Sequence, residues 1–200
     1  MKSLSTYISI NENFKFKINR NTKIHSIVPE TFSELQKLIA DRANNLDSNE
    51  ILDLTDIDIS KVEYISCPSG YSDHSYKGIF GKVMCSKLYI IDVSGWDVSR
   101  FDCLGGLFSS FHELVEIRGL ETWDVSNVTD MQGMFRGCKL LKTVNIDDWN
   151  VSNLRNTMQM FSECRRIEMN LSNWQLLPFC KRDGMFDLCK DSSIPDWAYK

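Results

Sequence analysis

The residues of this chain that could do chemistry are its cysteines, its histidines and its carboxylates. Seven of the 200 residues are cysteines and three are histidines. An odd number of cysteines excludes a fully disulfide-paired chain, and no CxxC pair indicates a zinc knuckle or a thioredoxin-type site. His25, His74 and His112 stand at no metal-ligand spacing from a cysteine. We therefore expect no metal, no cofactor and a reducing compartment.

Catalytic motifs are missing from the sequence as well. The chain contains no GxSxG, HExxH, P-loop or GxGxxG string, and Gly105-Gly106 does not follow a strand in a phosphate-binding unit. Carboxylate pairs such as Asp147-Asp148 are typical of turns. We therefore predict no catalytic residues and a protein that is not an enzyme.

Two sets of side chains each recur at one equivalent position of successive repeats, and we call each set a column. The first column consists of Cys138, Cys164 and Cys189. Earlier copies have Phe111 and Val83 at this position, which favours a buried small hydrophobe over a metal or redox site. The second column consists of Asp58, Asp97, Asp124 and Asn150. It favours turn formation over calcium binding, because a bound ion needs several converging ligands.

Composition limits the class of protein. The chain is 42% hydrophobic and 25% charged, with no apolar run near the roughly 18 to 20 residues that a membrane helix needs. Its net charge of -4 provides no global positive field for a phosphate backbone, so nucleic acid is an unlikely partner. The first ten residues contain no recognisable export signal, and we expect a cytoplasmic or virion-associated protein.

Tryptophan recurs along the chain with a regular period. Trp96, Trp123, Trp149, Trp174 and Trp197 are separated by 27, 26, 25 and 23 residues. The first three begin Trp-Asp-Val-Ser or Trp-Asn-Val-Ser, and Ile57-Asp58-Ile59-Ser60 is an earlier, diverged copy. An aliphatic residue precedes each of the first five anchors by three positions, and we expect it to be buried. These residues are Leu54, Val93, Leu120, Ile146 and Leu171.

A second apolar pattern follows each anchor with i, i+3, i+4, i+7 spacing. This spacing predicts one face of a helix of about two turns. Thr129 before Gln132, and Asn156 before Gln159, look like capping boxes. The sets are Tyr76/Ile79/Phe80/Val83, Leu104/Leu107/Phe108/Phe111, Met131/Met134/Phe135/Cys138, Thr157/Met160/Phe161/Cys164 and Arg182/Met185/Phe186/Cys189.

Each repeat is therefore expected to comprise an extended segment, a turn and a short helix. One such unit cannot bury its apolar face alone, whereas a stack of units forms a continuous core. The predicted fold is an α/β solenoid, a leucine-rich-repeat-like stack of about five strand-turn-helix rungs. A partly exposed aromatic strip for a protein or sugar partner is the alternative for the tryptophans. The predicted core ladder is Trp96, Trp123, Trp149, Trp174, Phe108, Phe135, Phe161 and Phe186.

Residues 120–138, Leu-Glu-Thr-Trp-Asp-Val-Ser-Asn-Val-Thr-Asp-Met-Gln-Gly-Met-Phe-Arg-Gly-Cys, resemble a known repeat. The string is similar to the repeat of the BspA-like leucine-rich-repeat surface proteins, which also occurs in mycoplasma lipoproteins and in phage hypothetical proteins. The resemblance covers about two thirds of the chain. It implies a leucine-rich-repeat solenoid with a binding or adhesive role, and it brings no catalytic residues.

Residues 1–50 do not share the period and are predicted to form an N-terminal α+β cap, with the repeats in residues 51–200. Alternating residues 14–18 predict a strand that pairs with residues 7–10 in a hairpin. Thr31, three residues before Glu34, predicts an amphipathic helix to about Leu46. The segment also contains a local cluster of basic residues. We interpret it as the solvent-exposed face of the strand, and the alternative is a surface that contacts an acidic partner or a phosphate backbone. The cluster consists of Lys15, Lys17, Arg20, Lys23 and His25.

The predicted function is non-enzymatic protein recognition or adhesion, with a protein partner that the sequence does not identify. The alternative is a structural or accessory component of a larger assembly such as a phage particle. In that case the N-terminal segment or the C-terminal end would dock. Trp197 opens a further unit, which we expect to be covered either by its own tail or by another chain. The candidate partner-binding residues on the turn side are Ser99, Arg100, Asn127, Thr129, Asn153 and Arg155.

Overall fold

A computed structural model describes residues 27–47, 50–66, 78–83, 88–191 and 194–199. The predicted hairpin and the basic cluster at residues 15–25 lie outside these residues. None of the described helices is long and apolar enough to cross a membrane. The elements are the helix α1 (Phe32–Asn44), the strands β1 (Ile51–Asp53), β2 (Ile90–Asp92) and β3 (Glu116–Arg118), and two 3-10 helices, Leu120–Thr122 and Asp196–Tyr199.

The helix α1 begins where the sequence predicts. The Thr31 side chain accepts a hydrogen bond from the Glu34 backbone N–H at 3.2 Å, which satisfies one of the free donors of the first turn. Leu35 and Ile39 are fully buried against the core. The helix ends at Asn44, two residues before the predicted end. Its apolar stripe covers the first repeats, as an amphipathic helix does.

The three strands form a small parallel sheet in the order β1-β2-β3. Ile51 pairs with Ile90, and Ile90 pairs with Glu116, so the same phase of successive repeats lies side by side. Beyond the sheet, isolated parallel bridges continue the pairing, as between Asp130 and Asn156. Parallel pairing at the repeat period brings equivalent residues into register.

Backbone hydrogen bonds join the segments that follow the anchors, which we call the turn segments (residues 104–111, 131–138, 157–164 and 182–189). Four alternate N–H groups of one turn segment donate to four alternate carbonyls of the next copy, at 2.7 to 3.0 Å. Met131 and Gly133, for example, donate to Asn156 and Met158. The same set connects residues 104–110 with 130–136, 131–137 with 156–162, and 157–163 with 181–187.

The four predicted short helices in the turn segments do not form, and these segments are successive turns instead. The first predicted helix begins at Tyr76, which lies outside the described residues, and residues 79–82 of it are turns. Other N–H groups of a turn segment donate to the carbonyl three residues earlier in the same segment, as the Met134 N–H does to the Met131 carbonyl. A residue with positive φ occurs twice in every turn segment, and a left-handed residue interrupts a right-handed helix. These residues are Gly106, Ser110, Gly133, Gly137, Gln159, Glu163, Gly184 and Leu188. Two consecutive four-residue turns produce the same i, i+3, i+4, i+7 spacing as a helix, which explains the wrong prediction.

The predicted α/β solenoid of about five strand-turn-helix rungs is therefore wrong, and so is the leucine-rich-repeat-like description. The described residues contain one α-helix, which precedes the repeats, and one small open sheet of three parallel strands. The period itself is real, because copies of the repeat contribute to one hydrophobic core. The five aliphatic residues before the anchors are at most 1% exposed, which confirms their predicted burial.

Candidate functional site

The tryptophan column lies in the core. Trp96, Trp123, Trp149 and Trp174 are only 3 to 6% exposed. The rings of Trp123 and Trp149 are parallel with centroids 6.3 Å apart, and those of Trp149 and Trp174 are 6.5 Å apart. These rings pack inside the molecule and do not form an exposed aromatic strip. Stacked rings in this range of separation contribute attraction beyond simple burial.

Each indole also bonds to the preceding copy, with one exception. The Nε1–H of Trp149 donates to the Leu120 carbonyl at 2.9 Å, and that of Trp174 donates to Ile146 at 3.1 Å. Trp96 and Trp197 make the equivalent bonds to Leu54 and Leu171. The buried Trp123 Nε1 has no hydrogen-bond partner among the described residues.

One inserted residue accounts for the exception at Trp123. The strand register advances by 26 residues from Ile90 to Glu116, whereas the tryptophan spacing from Trp96 to Trp123 is 27. Gly119 is the additional residue. Its φ is +93°, and its backbone lies in close contact with Ser94. A Cβ at Gly119 would lie 2.5 Å from the Ser94 backbone, so only glycine fits. The other copies lead us to expect the Val93 carbonyl as the acceptor for Trp123, and we infer that the insertion prevents this bond.

The phenylalanine column runs parallel to the tryptophans. Phe108, Phe135 and Phe161 are fully buried, and neighbouring rings lie 5.5 to 5.8 Å apart at interplanar angles below 10°. Phe186 continues the column at 5.7 Å from Phe161 but is only partly buried. The Phe108 ring also stacks on Trp123 at 6.2 Å, so one set of ring contacts joins seven of the eight predicted ladder residues. The eighth, Trp96, is buried without a ring contact among the described residues.

The acidic column forms turns. Asp97 Oδ1 accepts hydrogen bonds from the Ser99 hydroxyl at 2.6 Å and from the Ser99 backbone N–H at 3.0 Å. These bonds, chiefly that of the hydroxyl, lower the pKa of Asp97. Asp124 makes the same turn with Ser126, which lowers its pKa. The bonds to Ser99 and Ser126 show that these carboxylates accept from the backbone of their own turns.

Most candidate partner-binding residues make contacts within the molecule. Asn127 donates through Nδ2 to the Ser99 carbonyl, and Asn153 donates to the Ser126 carbonyl, each at 2.7 Å. Arg100 donates to the carbonyls of Ile59 and Val62 and lies over the Phe101 ring. The Thr129 hydroxyl donates to the Asp102 carbonyl at 3.3 Å. The turn side therefore consists largely of bonds between copies.

Arg155 differs from the other turn-side candidates. Its side chain is exposed and makes no hydrogen bond or ion pair with the described residues. Its backbone carbonyl accepts from the Lys181 N–H at 2.8 Å, which places it on the ladder. Arg155 is accordingly the turn-side candidate with a side chain free to contact a partner.

In the cysteine column, Cys138 and Cys164 are fully buried and Cys189 is partly buried. Each Sγ lies 3.0 Å from the carbonyl of a phenylalanine one copy earlier, as Cys164 does from Phe135. Burial raises the pKa of the Cys164 thiol far above its ordinary value and raises that of Cys189 to about 11. A thiol is a poor nucleophile and a poor metal ligand, since both roles require the thiolate. The column acts as a set of small core residues with a weak donor.

A basic concavity lies between residues 142 and 190 of the repeats, and the sequence did not predict it. We call it the basic groove, a concavity of about 560 Å³. All of its lining side chains are exposed, and four of the six are cationic. None of these four cations forms an ion pair with another described residue. The lining residues are Lys142, Thr143, Arg165, Arg166, Glu168 and Lys190.

The signal for the basic groove is present in the repeat. A cation directly follows the column cysteine in three successive copies, as Lys139, Arg165 and Lys190. Parallel pairing brings such positions together, and the Glu168 N–H donates to the Lys142 carbonyl at 2.6 Å. The linear sequence spreads these charges over about 50 residues, so no run of basic residues marks the site.

A protein-family model matches residues 75–197 of the chain, which is more than half of its length. The model is described as "Mycoplasma protein of unknown function, DUF285". The chain belongs to this family. Comparison with curated proteins gave no match, and comparison with solved structures gave none either.

Membership of this family supports the resemblance in part. The family is associated with BspA-like surface repeat proteins, but the finer leucine-rich-repeat assignment does not follow from the match. The matched region begins before Trp96 and ends at Trp197, so it includes the tryptophan column, the turn segments and the basic groove. The family description assigns no activity.

Proposed function

We propose that this DUF285-family protein is a non-enzymatic protein-binding module whose basic groove binds an acidic segment of a partner protein. The observation that carries the proposal is the absence of ion pairs at the groove's four cations within the described chain. Three cations elsewhere in the described residues, Arg42, Lys61 and Arg118, do pair with carboxylates. Arg42 pairs with Asp56 at 2.6 Å, and Arg118 pairs with Glu116 at 2.8 Å.

The charge of the groove sets the chemistry of the partner. Its four cations and one carboxylate give a local net charge of three positive, whereas the whole chain has a net charge of -4. A local positive surface attracts an acidic segment and accelerates its association, while the negative remainder disfavours a long polyanion. Arginine side chains at Arg165 and Arg166 suit carboxylates in particular, because guanidinium groups bind them with two parallel hydrogen bonds.

The experiment is a binding titration with a labelled oligoglutamate peptide, followed by fluorescence anisotropy. We compare the wild-type chain with the double variant Arg165→Glu/Arg166→Glu. Exposed pairs contribute about 0.2 to 1 kcal/mol each, and reversal replaces attraction with repulsion, so we expect about a tenfold or greater loss of affinity. Added salt should weaken wild-type binding, since exposed charges are screened.

Arg155→Glu provides the matched control. It reverses one exposed cation on the turn side and should leave peptide binding close to that of the wild-type chain. Unchanged binding by the double variant would contradict the proposal, and loss with Arg155→Glu would move the site to the turn side. Equal competition by single-stranded DNA would identify a phosphate ligand instead. The unfolding midpoints of all variants should agree, because surface substitutions usually change stability by less than about 0.5 kcal/mol.

A structural role in a larger assembly is the second candidate, and a different observation favours it. Phe179 and Leu188 are 68% and 65% exposed, although both are large apolar side chains. Exposed apolar surface of this kind marks contact sites between proteins. Purification of the native assembly from its source, with a fixed copy number of this chain, would support the role. A chain that occurs only outside such assemblies would refute it.

A further inference from the structure

One segment of the repeats carries opposite charges at its two ends. The segment runs from Lys142 to Asp148 and follows β3 by one copy, because the Lys142 N–H donates to the Val115 carbonyl at 3.2 Å. Lys142 lies in the basic groove at the start of the segment, and the exposed Asp148 lies at its end. The two ends are at most about 20 Å apart, since an extended chain advances about 3.3 Å per residue.

The side of this segment that faces solvent is uncharged between its ends. Val144 and Ile146 are 4% and 1% exposed, so they face the core. Alternation along an extended segment directs their neighbours Thr143 and Asn145 outwards, and both of these side chains are exposed. Between the two charged ends, the segment therefore presents a hydroxyl and an amide to a neighbouring molecule.

The acidic end has no counter-ion within the described chain. Asp147 and Asp148 form no ion pair with another described residue. Burial and, after it, the neighbouring Asp148 raise the pKa of Asp147, although a hydrogen bond from the Asn170 backbone opposes this effect. Two adjacent carboxylates without a cation favour contact with a positive surface outside the molecule.

The basic groove provides such a surface at the other end of the same segment. It has four cations and one carboxylate, and none of the four cations forms an ion pair with a described residue. Two copies of the segment placed side by side in opposite directions would bring each acidic end to the basic end of the other. One rotation by 180° about an axis near Asn145 produces this arrangement.

We propose that a second copy of this chain docks on this face in the opposite direction, so that Asp147 and Asp148 of each copy enter the basic groove of the other. This inference rests on the proposed function, because it names the acidic segment that the groove binds. The guanidinium groups of Arg165 and Arg166 would bind the carboxylates with parallel hydrogen bonds.

Self-complementarity favours a second copy over an unrelated acidic segment. An unrelated peptide would fill the groove and leave Asp147 and Asp148 without a cation, whereas a second copy pairs both charged ends at once. The second of these contacts forms between molecules that are already associated, so its effective concentration is high. Both molecules use the same surface about a twofold axis, so association stops at two copies.

Sedimentation equilibrium of the full chain at low salt tests the proposal. Exposed ion pairs are individually weak, so we expect a monomer–dimer equilibrium with a dissociation constant between about 1 µM and 1 mM. Asp148→Lys should weaken the dimer at least tenfold, and so should the double variant Arg165→Glu/Arg166→Glu. Asp183→Lys is the matched control, because it reverses one exposed carboxylate in the last turn segment and should leave the dimer unchanged.

A mixture of the two charge-reversed proteins provides the decisive measurement. Neither variant should dimerise alone, because each lacks one partner of both contacts. In an equimolar mixture the intact groove of Asp148→Lys meets the intact carboxylate pair of Arg165→Glu/Arg166→Glu, so one attractive contact returns. We expect the mixture to associate at least fivefold more tightly than either variant alone. The unfolding midpoints of the variants should agree with that of the wild type, since these side chains are exposed.

Several outcomes would overturn the proposal. They are a wild-type chain that stays monomeric up to about 1 mM at low salt, assemblies larger than two copies, no recovery in the mixture, and equal weakening by Asp183→Lys. A monomeric chain whose groove still binds oligoglutamate would refute this inference and leave the proposed function in place. A monomeric chain that also fails to bind oligoglutamate would refute both.

Discussion

Substitution of Trp149 and of Trp123 by phenylalanine should have unequal effects on stability. Both side chains are nearly buried, at 6% and 4% exposure, and both stack in the same column. The substitution removes the same atoms at the two sites and leaves an aromatic ring in place. The sites differ in the fate of the indole N–H, because Trp149 donates to Leu120 at 2.9 Å whereas Trp123 Nε1 has no described partner.

The difference in unfolding free energy follows from these two bonds. Loss of the bond from Trp149 to Leu120 removes a net contribution of about 1 kcal/mol. In Trp123→Phe the lost group is a buried donor without an acceptor among the described residues, and an unpaired buried donor costs the native protein about 1 to 3 kcal/mol. The loss of packing is similar at both sites. We therefore expect Trp149→Phe to be more destabilising than Trp123→Phe by about 2 kcal/mol or more.

Urea denaturation followed by circular dichroism measures both values under identical conditions, with linear extrapolation to water. The slope of unfolding free energy against urea should be the same for both variants, since neither changes the surface exposed. Trp174→Phe serves as a second control and should behave like Trp149→Phe, because its indole bonds to Ile146. Equal destabilisation at Trp123 and Trp149 would refute the inference that the insertion of Gly119 leaves the Trp123 donor unpaired.

Two further predictions concern titrating groups. The pKa of Asp97 is lowered in the folded chain by the Ser99 hydroxyl, so its contribution to stability is present above the unfolded value near 4 and is lost as pH falls through the lower folded value. Asp97→Asn should therefore lose less unfolding free energy than the wild type between about pH 5 and pH 2 in urea titrations, and identical losses would contradict the assignment. Burial raises the pKa of the Cys164 thiol, so iodoacetamide near neutral pH should leave Cys164 unmodified in native protein and modify it in urea, as mass spectrometry of peptides would show. Rapid modification of Cys164 in the native chain would place this column at the surface.

Local patterns in the sequence succeeded where the relevant interaction is short in range. The helix start at Thr31 follows from a side-chain bond to an amide three residues away, and the Asp97 turn follows from a bond two residues away. Burial of Leu54, Val93 and the later aliphatic residues follows from their strict period. These features depend on residue type and spacing alone.

The turn segments show where the same reasoning fails. Their apolar spacing fits a helix and fits two successive turns equally well. The choice depends on whether a carbonyl of the neighbouring copy, 24 to 26 residues away in the chain, accepts the alternate N–H groups. Gly133 and Gly137 provide the positive φ that turns require, but Gln159 and Leu188 adopt it too, without any preference of their own. Pairing between copies decided the conformation.

The sequence by itself determined the period, the buried positions, the turns at the anchors and the start of α1, because each depends on nearby residues or on a repeated side-chain type. Only the tertiary structure decided that the turn segments are not helical, that Asn127 and Asn153 bond between copies, and that separated cations form the basic groove. The physical reason is that backbone pairing between copies aligns residues about 25 positions apart. The hydrogen bonds, ring contacts and charges that result have no local signature in the chain.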